Sequence, residues 1–318
     1  MPRDAGEAGC DVARLADPSG RRVRAARPLG NHSRRSNSSR YRTGGARVRL
    51  PFLRRASPLT TRPSTVRRAG RVDLVGGGPG PADLMTLRAH RLLAEADVVV
   101  VDRLGPADEI RAQLGPKVLV IDVGKRPGHH PVPQAQINEL LVAHARAGRR
   151  VVRLKGGDPF VLGRGGEEVL ACEAAGIPVT VTPGVSSAIS VPQSAGIPVT
   201  HRGVASALHV VNGQGPFTES TLASLADTSV TTVVLMGVAA LPRLASSALH
   251  HGIPADRPVA IVENGHTARQ RTIRSTLGAI VADAEEAHVI NPAVVVIGDV
   301  ARAGLLLPST SQFAEARA

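Results

Sequence analysis

From residue 71 onward the chain alternates short, Val-rich apolar runs with longer stretches whose apolar positions recur every three or four residues. The runs at 72–75, 98–101, 118–123, 150–154 and 179–182 are short and β-branched, and they predict strands. Between them, 82–94, 106–114, 133–147 and 166–175 predict helices. Ile137, Leu140 and Leu141 fall on one face of the third, and Gly148 and Gly176 supply stops. Near-continuous apolar strands alternating with helices predict a mostly parallel sheet covered on both faces. Pro183-Gly184 breaks the alternation, and a helix at 185–195 precedes a second break at Gly196-Ile197-Pro198. Strands at 208–211, 232–236, 259–263 and 293–297, with helices at 218–226, 241–250 and 277–287, predict a second α/β domain whose strand directions the spacing leaves open. The expected organisation is an N-terminal extension at 1–70, an α/β domain at 71–183, a junction at 184–203, a second α/β domain at 204–303 and a tail at 304–318.

Charge redraws the first segment. The chain of 318 residues has a formal net charge of +13. All of that excess lies in residues 1–70, which carry 17 Arg, no Lys and 4 acidic residues; the remainder balances to zero. The extension lacks a sustained apolar period and is expected to be disordered. An Arg-rich arm suits a polyanion, an import presequence or a solvated tail, and it has no apolar stretch of the secretory kind. The balanced remainder, with aromatics at 2%, offers neither a basic face nor stacking platforms for nucleic acid. Cys10 and Cys172 are the only cysteines, so neither a disulfide framework nor a cysteine metal cluster is expected, and the usage fits a reducing cytoplasm. No stretch is long and apolar enough to span a bilayer as a helix.

The candidate chemistry follows the predicted strands. Leu154-Lys155-Gly156-Gly157-Asp158-Pro159-Phe160 brings bare backbone to a strand end, and Gly163-Arg164-Gly165-Gly166-Glu167-Glu168 opens the next helix with two carboxylates in its first turn. Gly76-Gly77-Gly78-Pro79-Gly80 follows the first strand, the place where dinucleotide folds grip phosphate. Here Pro79 has no amide hydrogen and Pro81 takes the third glycine's place, so the turn suits a ligand without a pyrophosphate. Asp102-Arg103-Leu104 puts a carboxylate beyond the second strand, where it can take or orient a proton, or cap a helix. Gly124-Lys125-Arg126-Pro127-Gly128-His129-His130 packs cationic groups into a loop fit for carboxylates, while adjacent histidines without a third ligand do not make a metal site. Thr182-Pro183-Gly184-Val185-Ser186-Ser187-Ala188 sets hydroxyls at a helix start, without the elbow or base that a nucleophilic serine needs.

Together these runs resemble the tetrapyrrole methylases. The likeness extends from about residue 71 to about 302 and also takes in Gly196-Ile197-Pro198-Val199-Thr200-His201-Arg202, Met236-Gly237, Val262-Glu263-Asn264-Gly265 and Gln270-Arg271. The resemblance implies two α/β domains with the active site in the cleft between them, a cytoplasmic homodimer, and methyl transfer from S-adenosylmethionine. It implies uroporphyrinogen III as acceptor, methylated at C2 and then C7 to give precorrin-2 for sirohaem and cobalamin. It marks Pro79, Gly156, Gly157, Asp158, Val161, Ser186, Ser187, Met236 and Gly265 as cofactor contacts, Asp102 as proton acceptor, and Lys125 as proton donor or substrate-orienting residue. The acceptor's eight carboxylates would suit Arg126, Arg153, Arg164 and Arg202, although Arg153 lies within a strand pattern. No metal is implied. Leu162, Leu235 and Val211-Asn212-Gly213-Gln214 depart from the family pattern. A methylase acting on a later corrin intermediate is the nearest alternative; an RNA methylase and a nicotinamide oxidoreductase are more distant ones.

Overall fold

The computed structural model describes residues 69–102, 107–124 and 132–306. The N-terminal extension, and the tail beyond residue 306, lie outside them. The described residues fall in one compact unit, Pro63–Ala318, which contains two five-stranded sheets.

The first sheet is built from β1 (Arg71–Gly76), β2 (Val98–Val101), β3 (Leu119–Asp122), β4 (Arg150–Lys155) and β5 (Val179–Thr182), in the order β3-β2-β4-β1-β5. Every pairing is parallel. The period-2 geometry of the strands sends alternate side chains to opposite faces. Leu74, Val98 and Val151 meet Ile137 and Leu141 of α3 (Gln134–Arg146) and Cys172 of α4 (Gly165–Ala174) on one side. Val75, Val99 and Val152 meet Leu93 of α1 (Leu87–Ala94) and Ile110 of α2 (Ala107–Gln113) on the other. The helix expected at 82–94 is broken. A 3-10 turn at Ala82–Leu84 comes first, and α1 starts only after Thr86, which is extended and accepts a hydrogen bond from the Ala89 amide. An N-cap hydroxyl satisfies an otherwise unpaired first-turn donor, and here that local bond overrides the apolar period.

The second sheet is mixed. It comprises β6 (Ala207–Asn212), β7 (Val230–Leu235), β8 (Pro258–Glu263), β9 (Arg271–Thr276) and β10 (Ala293–Ile297), in the order β6-β7-β10-β8-β9. β6 and β7 are parallel, β10 runs against both β7 and β8, and β9 runs against β8. Strand β9 was not expected: of its residues, RTIRST, only Ile273 is apolar, and it pairs on one side alone as an edge strand. Helices α6 (Glu219–Ala226), α7 (Leu241–His250) and α8 (Ile280–Glu286) cover one face around Leu225, Leu244, Ile261 and Val295. The last begins three residues later than expected, because Leu277 is held in a turn by a bond from its amide to the Arg257 carbonyl. Helix α5 (Ser187–Ser194), at the junction, places Ala188 and Val191 against Val233, Ala260, Val262 and Val294 on the other face.

Candidate active site

Parallel strands end on a common edge, so the loops after β1, β4 and β5 converge. They meet through backbone, which only glycine permits at this spacing. A Cβ on Gly184 would stand 2.2 Å from the Gly157 carbonyl oxygen and 2.7 Å from the Gly76 carbonyl carbon. Gly78 and Gly157 exchange both amide-to-carbonyl bonds, at 3.2 and 2.7 Å, and each has a left-handed φ, of 75° and 65°. Asp158 fastens the same loops: one carboxylate oxygen accepts from the Phe160 amide at 2.8 Å and the other from the Gly184 amide at 3.1 Å. Pro79, Gly156 and Val161 are half-buried along this rim. Ser186 caps α5 by accepting from the Ala188 amide. The Ser187 hydroxyl has no hydrogen-bond partner among the described residues, and it lies 3.6 Å from where a Gly157 Cβ would stand.

A second rim lies on the other sheet. The ladder directions make β6, β7 and β8 run the same way, so Gly213, Met236-Gly237 and Gly265 share an edge. Met236 is exposed with a left-handed φ of 56°. A Cβ on Gly213 would stand 2.5 Å from Gly237 Cα. The loop carrying Gly213 is pinned by Arg243, which donates to the Gly213 and Gly215 carbonyls and lies over the Phe217 ring. The two rims approach where a Gly80 Cβ would lie 3.7 Å from the Gly265 carbonyl oxygen. A clasp holds the β8–β9 turn to α5. His266 Nε2 donates to the Ser190 carbonyl at 2.8 Å, and the Gln270 side chain donates to the Ser194 carbonyl at 3.0 Å while accepting from the His266 amide. Gly265 makes the approach possible, since its Cβ would fall 2.7 Å from Val191.

Behind the first rim lies a chain of charges. Asp102 follows β2 and is 30% exposed; one of its oxygens accepts from Arg153 Nη2 at 2.6 Å. Arg153 is 2% exposed and also donates through Nε to Glu168 at 2.9 Å and through Nη1 to the Leu154 carbonyl. Lys155 Nζ sits 3.0 Å from Glu168 and 4.0 Å from Asp102. Glu168 is fully buried and also accepts from Gln134. Burial works against the charge on Arg153, but Asp102 and Glu168 outweigh it and raise its pKa above the ordinary value. For Lys155, burial and then the charge of Arg153 prevail over Glu168 and Asp102, and its pKa is lowered. Cys172, one turn further along α4 than Glu168, is pushed up to about 11 by burial and then by Glu168, so its thiol stays protonated.

The residues singled out by sequence therefore part into groups. Pro79, Gly156, Gly157, Asp158, Ser186 and Ser187 gather at the first rim, and Met236 and Gly265 at the second. Arg153 is corrected as a partner for an external carboxylate: in keeping with its place within a strand, it faces inward and holds Asp102 and Glu168. Arg164 is exposed, in a left-handed conformation, and makes a two-pronged pair with Glu167. Arg202 is exposed and has no ion-pair partner among the described residues. Lys125 and Arg126 lie outside the described residues. Sequence reasoning missed Lys155 and Gln134, and it had no role for His266 or Gln270. The i, i+2 spacing of Arg153 and Lys155 on one strand was the available signal that they share a face.

No group of three His, Cys, Asp or Glu side chains among the described residues is placed to hold a metal, and no described helix is long and apolar enough to cross a membrane. Residues 71–281 match the tetrapyrrole (corrin/porphyrin) methylases. The chain is 47% identical over 235 residues to the S-adenosyl-L-methionine-dependent uroporphyrinogen III methyltransferase of Methanosarcina barkeri, covering 73% of this chain and 92% of that protein. It is 44% identical over 234 residues to the siroheme synthase of Tolumonas auensis, again over 73% of this chain, but it spans only 49% of that longer protein. The crystal structure of the uroporphyrin-III C-methyl transferase from Thermus thermophilus complexed with S-adenyl homocysteine matches with a TM-score of 0.62 and 40% identity, over 73% of this chain and 94% of that one. By its sequence, its two sheets and these likenesses, the chain belongs to the tetrapyrrole methylases.

Proposed function

We propose that this chain is an S-adenosylmethionine-dependent C-methyltransferase that converts uroporphyrinogen III to precorrin-2, by methylation at C2 and then C7, in sirohaem and cobalamin synthesis. The observation that carries the reading is the pair of glycine rims meeting at Gly80 and Gly265, with the half-buried carboxylate of Asp102 beyond the neighbouring strand end. The residues present fit the cofactor. Gly157 leaves a surface without side chain beside the free Ser187 hydroxyl, and Pro79 withholds a phosphate-type donor, so a ligand can be gripped by main chain and hydroxyl without a pyrophosphate site.

In this reading the cleft between the two α/β halves, 71–183 and 204–303, is the active site. Pro79, Gly156, Gly157, Asp158, Val161, Ser186, Ser187, Met236 and Gly265 form the cofactor wall, with Asp158 acting through the loops it fastens. When bound, the cofactor supplies an activated methyl group, so the chain needs neither a nucleophile nor a metal. The protein aligns an electron-rich pyrrole carbon with that methyl. Once the carbon has gained it, a proton must leave the acceptor, and the Asp102 carboxylate takes it, held in place by Arg153. Lys125 donates a proton or orients the acceptor. Arg126, Arg164 and Arg202 are the candidates for its carboxylates, Arg164 by exchanging its Glu167 partner. The working form is a cytoplasmic homodimer.

The test is anaerobic incubation of the purified chain with uroporphyrinogen III and methyl-labelled cofactor. Two labelled methyl groups on the acceptor are expected, at C2 and C7. No transfer to uroporphyrinogen III, with transfer to a later corrin intermediate, would replace this acceptor with the alternative that the departure at Val211-Asn212-Gly213-Gln214 keeps in view.

A further inference from the structure

We propose that Glu168 is a positioning residue for methyl transfer: from α4, packed against the first sheet, it neutralises Arg153 and Lys155, and so leaves Asp102 in one close ion pair, with Arg153, while Lys155 stays 4.0 Å from its other oxygen. The inference deepens the functional reading above and rests on it.

The geometry has a hub and a tip. Glu168 is fully buried, and three donors converge on its Oε1: Arg153 Nε at 2.9 Å, Lys155 Nζ at 3.0 Å and Gln134 Nε2 at 3.1 Å. Arg153 and Lys155 are 2% and 4% exposed, so Asp102 is the one member of the charged group that reaches solvent. The two cations and two carboxylates balance. Arg153 is held from both ends, by Glu168 at Nε and by Asp102 at Nη2, and this fixes where the Asp102 carboxylate stands. Lys155 is drawn to Glu168 and stays 4.0 Å from the second oxygen of Asp102.

Removing the charge of Glu168 alone leaves two buried cations facing one carboxylate. An uncompensated buried charge is strongly unfavourable, so Lys155 moves to the nearest remaining anion, and that anion is Asp102. The oxygen that accepts the proton is then occupied. Taking away Lys155 as well restores one cation to one carboxylate and frees that oxygen. A role limited to packing predicts the opposite, because the double substitution removes more of the buried structure than the single one.

The experiment compares wild type, Glu168→Gln and Glu168→Gln/Lys155→Met as full chains. It measures kcat and KM for methyl transfer to uroporphyrinogen III and calorimetric affinity for S-adenosylhomocysteine. The single variant is expected to lose roughly a hundredfold in kcat, within the range attributed to a positioned proton-transfer group, while its S-adenosylhomocysteine affinity stays within about twofold. The double variant is expected to recover at least about tenfold of that loss. Should Glu168→Gln fail to fold, a folded and active double variant still supports charge balance, whereas a double variant that is folded but inactive, or unfolded, overturns it. An active wild type whose double variant is as slow as the single one overturns this inference alone. A wild type without turnover overturns the functional reading and this inference with it.

Discussion

The two sheets are similar in size and in their apolar strands, yet they are put to different uses. The first sends all five strands one way, so every outgoing loop arrives at one edge, and it buries charge against α4: Arg153 and Lys155 on β4 meet Glu168 on the helix. In the second, β9 and β10 run against β6, β7 and β8, and its interior is mainly Val, Ile, Leu and Ala, its buried charges, Arg257 and Glu263, standing at the two ends of β8. Strand direction accounts for the difference at the rims. A parallel sheet concentrates backbone ends where a ligand can be gripped, whereas a mixed sheet divides them between two edges. The second sheet still contributes Met236 and Gly265, because β7 and β8 share a direction across the reversed β10. Candidate chemistry thus gathers where strand ends converge, and the apolar interior of the second sheet supports its rim through α5.

The largest effect is expected at the tip of the charged chain. Asp102→Asn should lower kcat by about 10²–10⁴-fold while leaving calorimetric S-adenosylhomocysteine binding near normal. Unchanged turnover would remove Asp102 from the reaction. Next come the buried residues of the second sheet. Leu244→Ala should cost about 2–5 kcal/mol in urea unfolding, with kcat per folded molecule little altered. A large loss of kcat in the folded fraction would show that the second sheet does more than support its rim. Glycine substitutions sharpen the picture further. Gly184→Ala should weaken S-adenosylhomocysteine binding strongly, because its Cβ would meet backbone at 2.2 Å. Gly176→Ala, with φ of 69° and nothing within 4 Å of its Cβ, should cost only about 1 kcal/mol of stability and leave binding intact.

A smaller effect concerns pH. The Cys172 thiol titrates at about 11 when folded against an ordinary 9.0, so the unfolded chain loses its proton first. The stability this contributes is complete below about pH 9 and disappears as pH rises toward 11, by on the order of 2 kcal/mol. In Cys172→Ala that part of the alkaline decline should be missing; identical pH–stability curves for the two proteins would refute it. The smallest effect belongs to the surface. Arg164 and Glu167 are both more than half exposed, and Glu167→Gln should leave the thermal unfolding midpoint essentially where it is; a clear downward shift would refute this.

Much of the first half could be read directly from the chain. Strands β2 and β5 coincide with the apolar runs at 98–101 and 179–182, and the glycine runs stand directly after β1 and β4, where the pattern put them. The exceptions have local or distant causes. Thr86 broke a helix because one cap bond outweighed an apolar period. Strand β9 escaped because an edge strand needs no apolar face. The strand position of Arg153 left both a structural and a ligand role open, and nothing local reveals that its partners are Asp102, 51 residues away, and Glu168.

What the chain determined by itself was local: which segments are strands, where glycine and proline end them, and that the folded part carries no net charge. Those properties depend on the spacing of side chains along one strand or helix, and spacing is written in order. Only the tertiary structure decided that β4 lies between β1 and β2, that Gly184 rests on Gly76 and Gly157, and that Glu168 stands behind Asp102. Such contacts join distant segments, and they are selected by how the sheets pack as a whole rather than by any run of neighbouring residues.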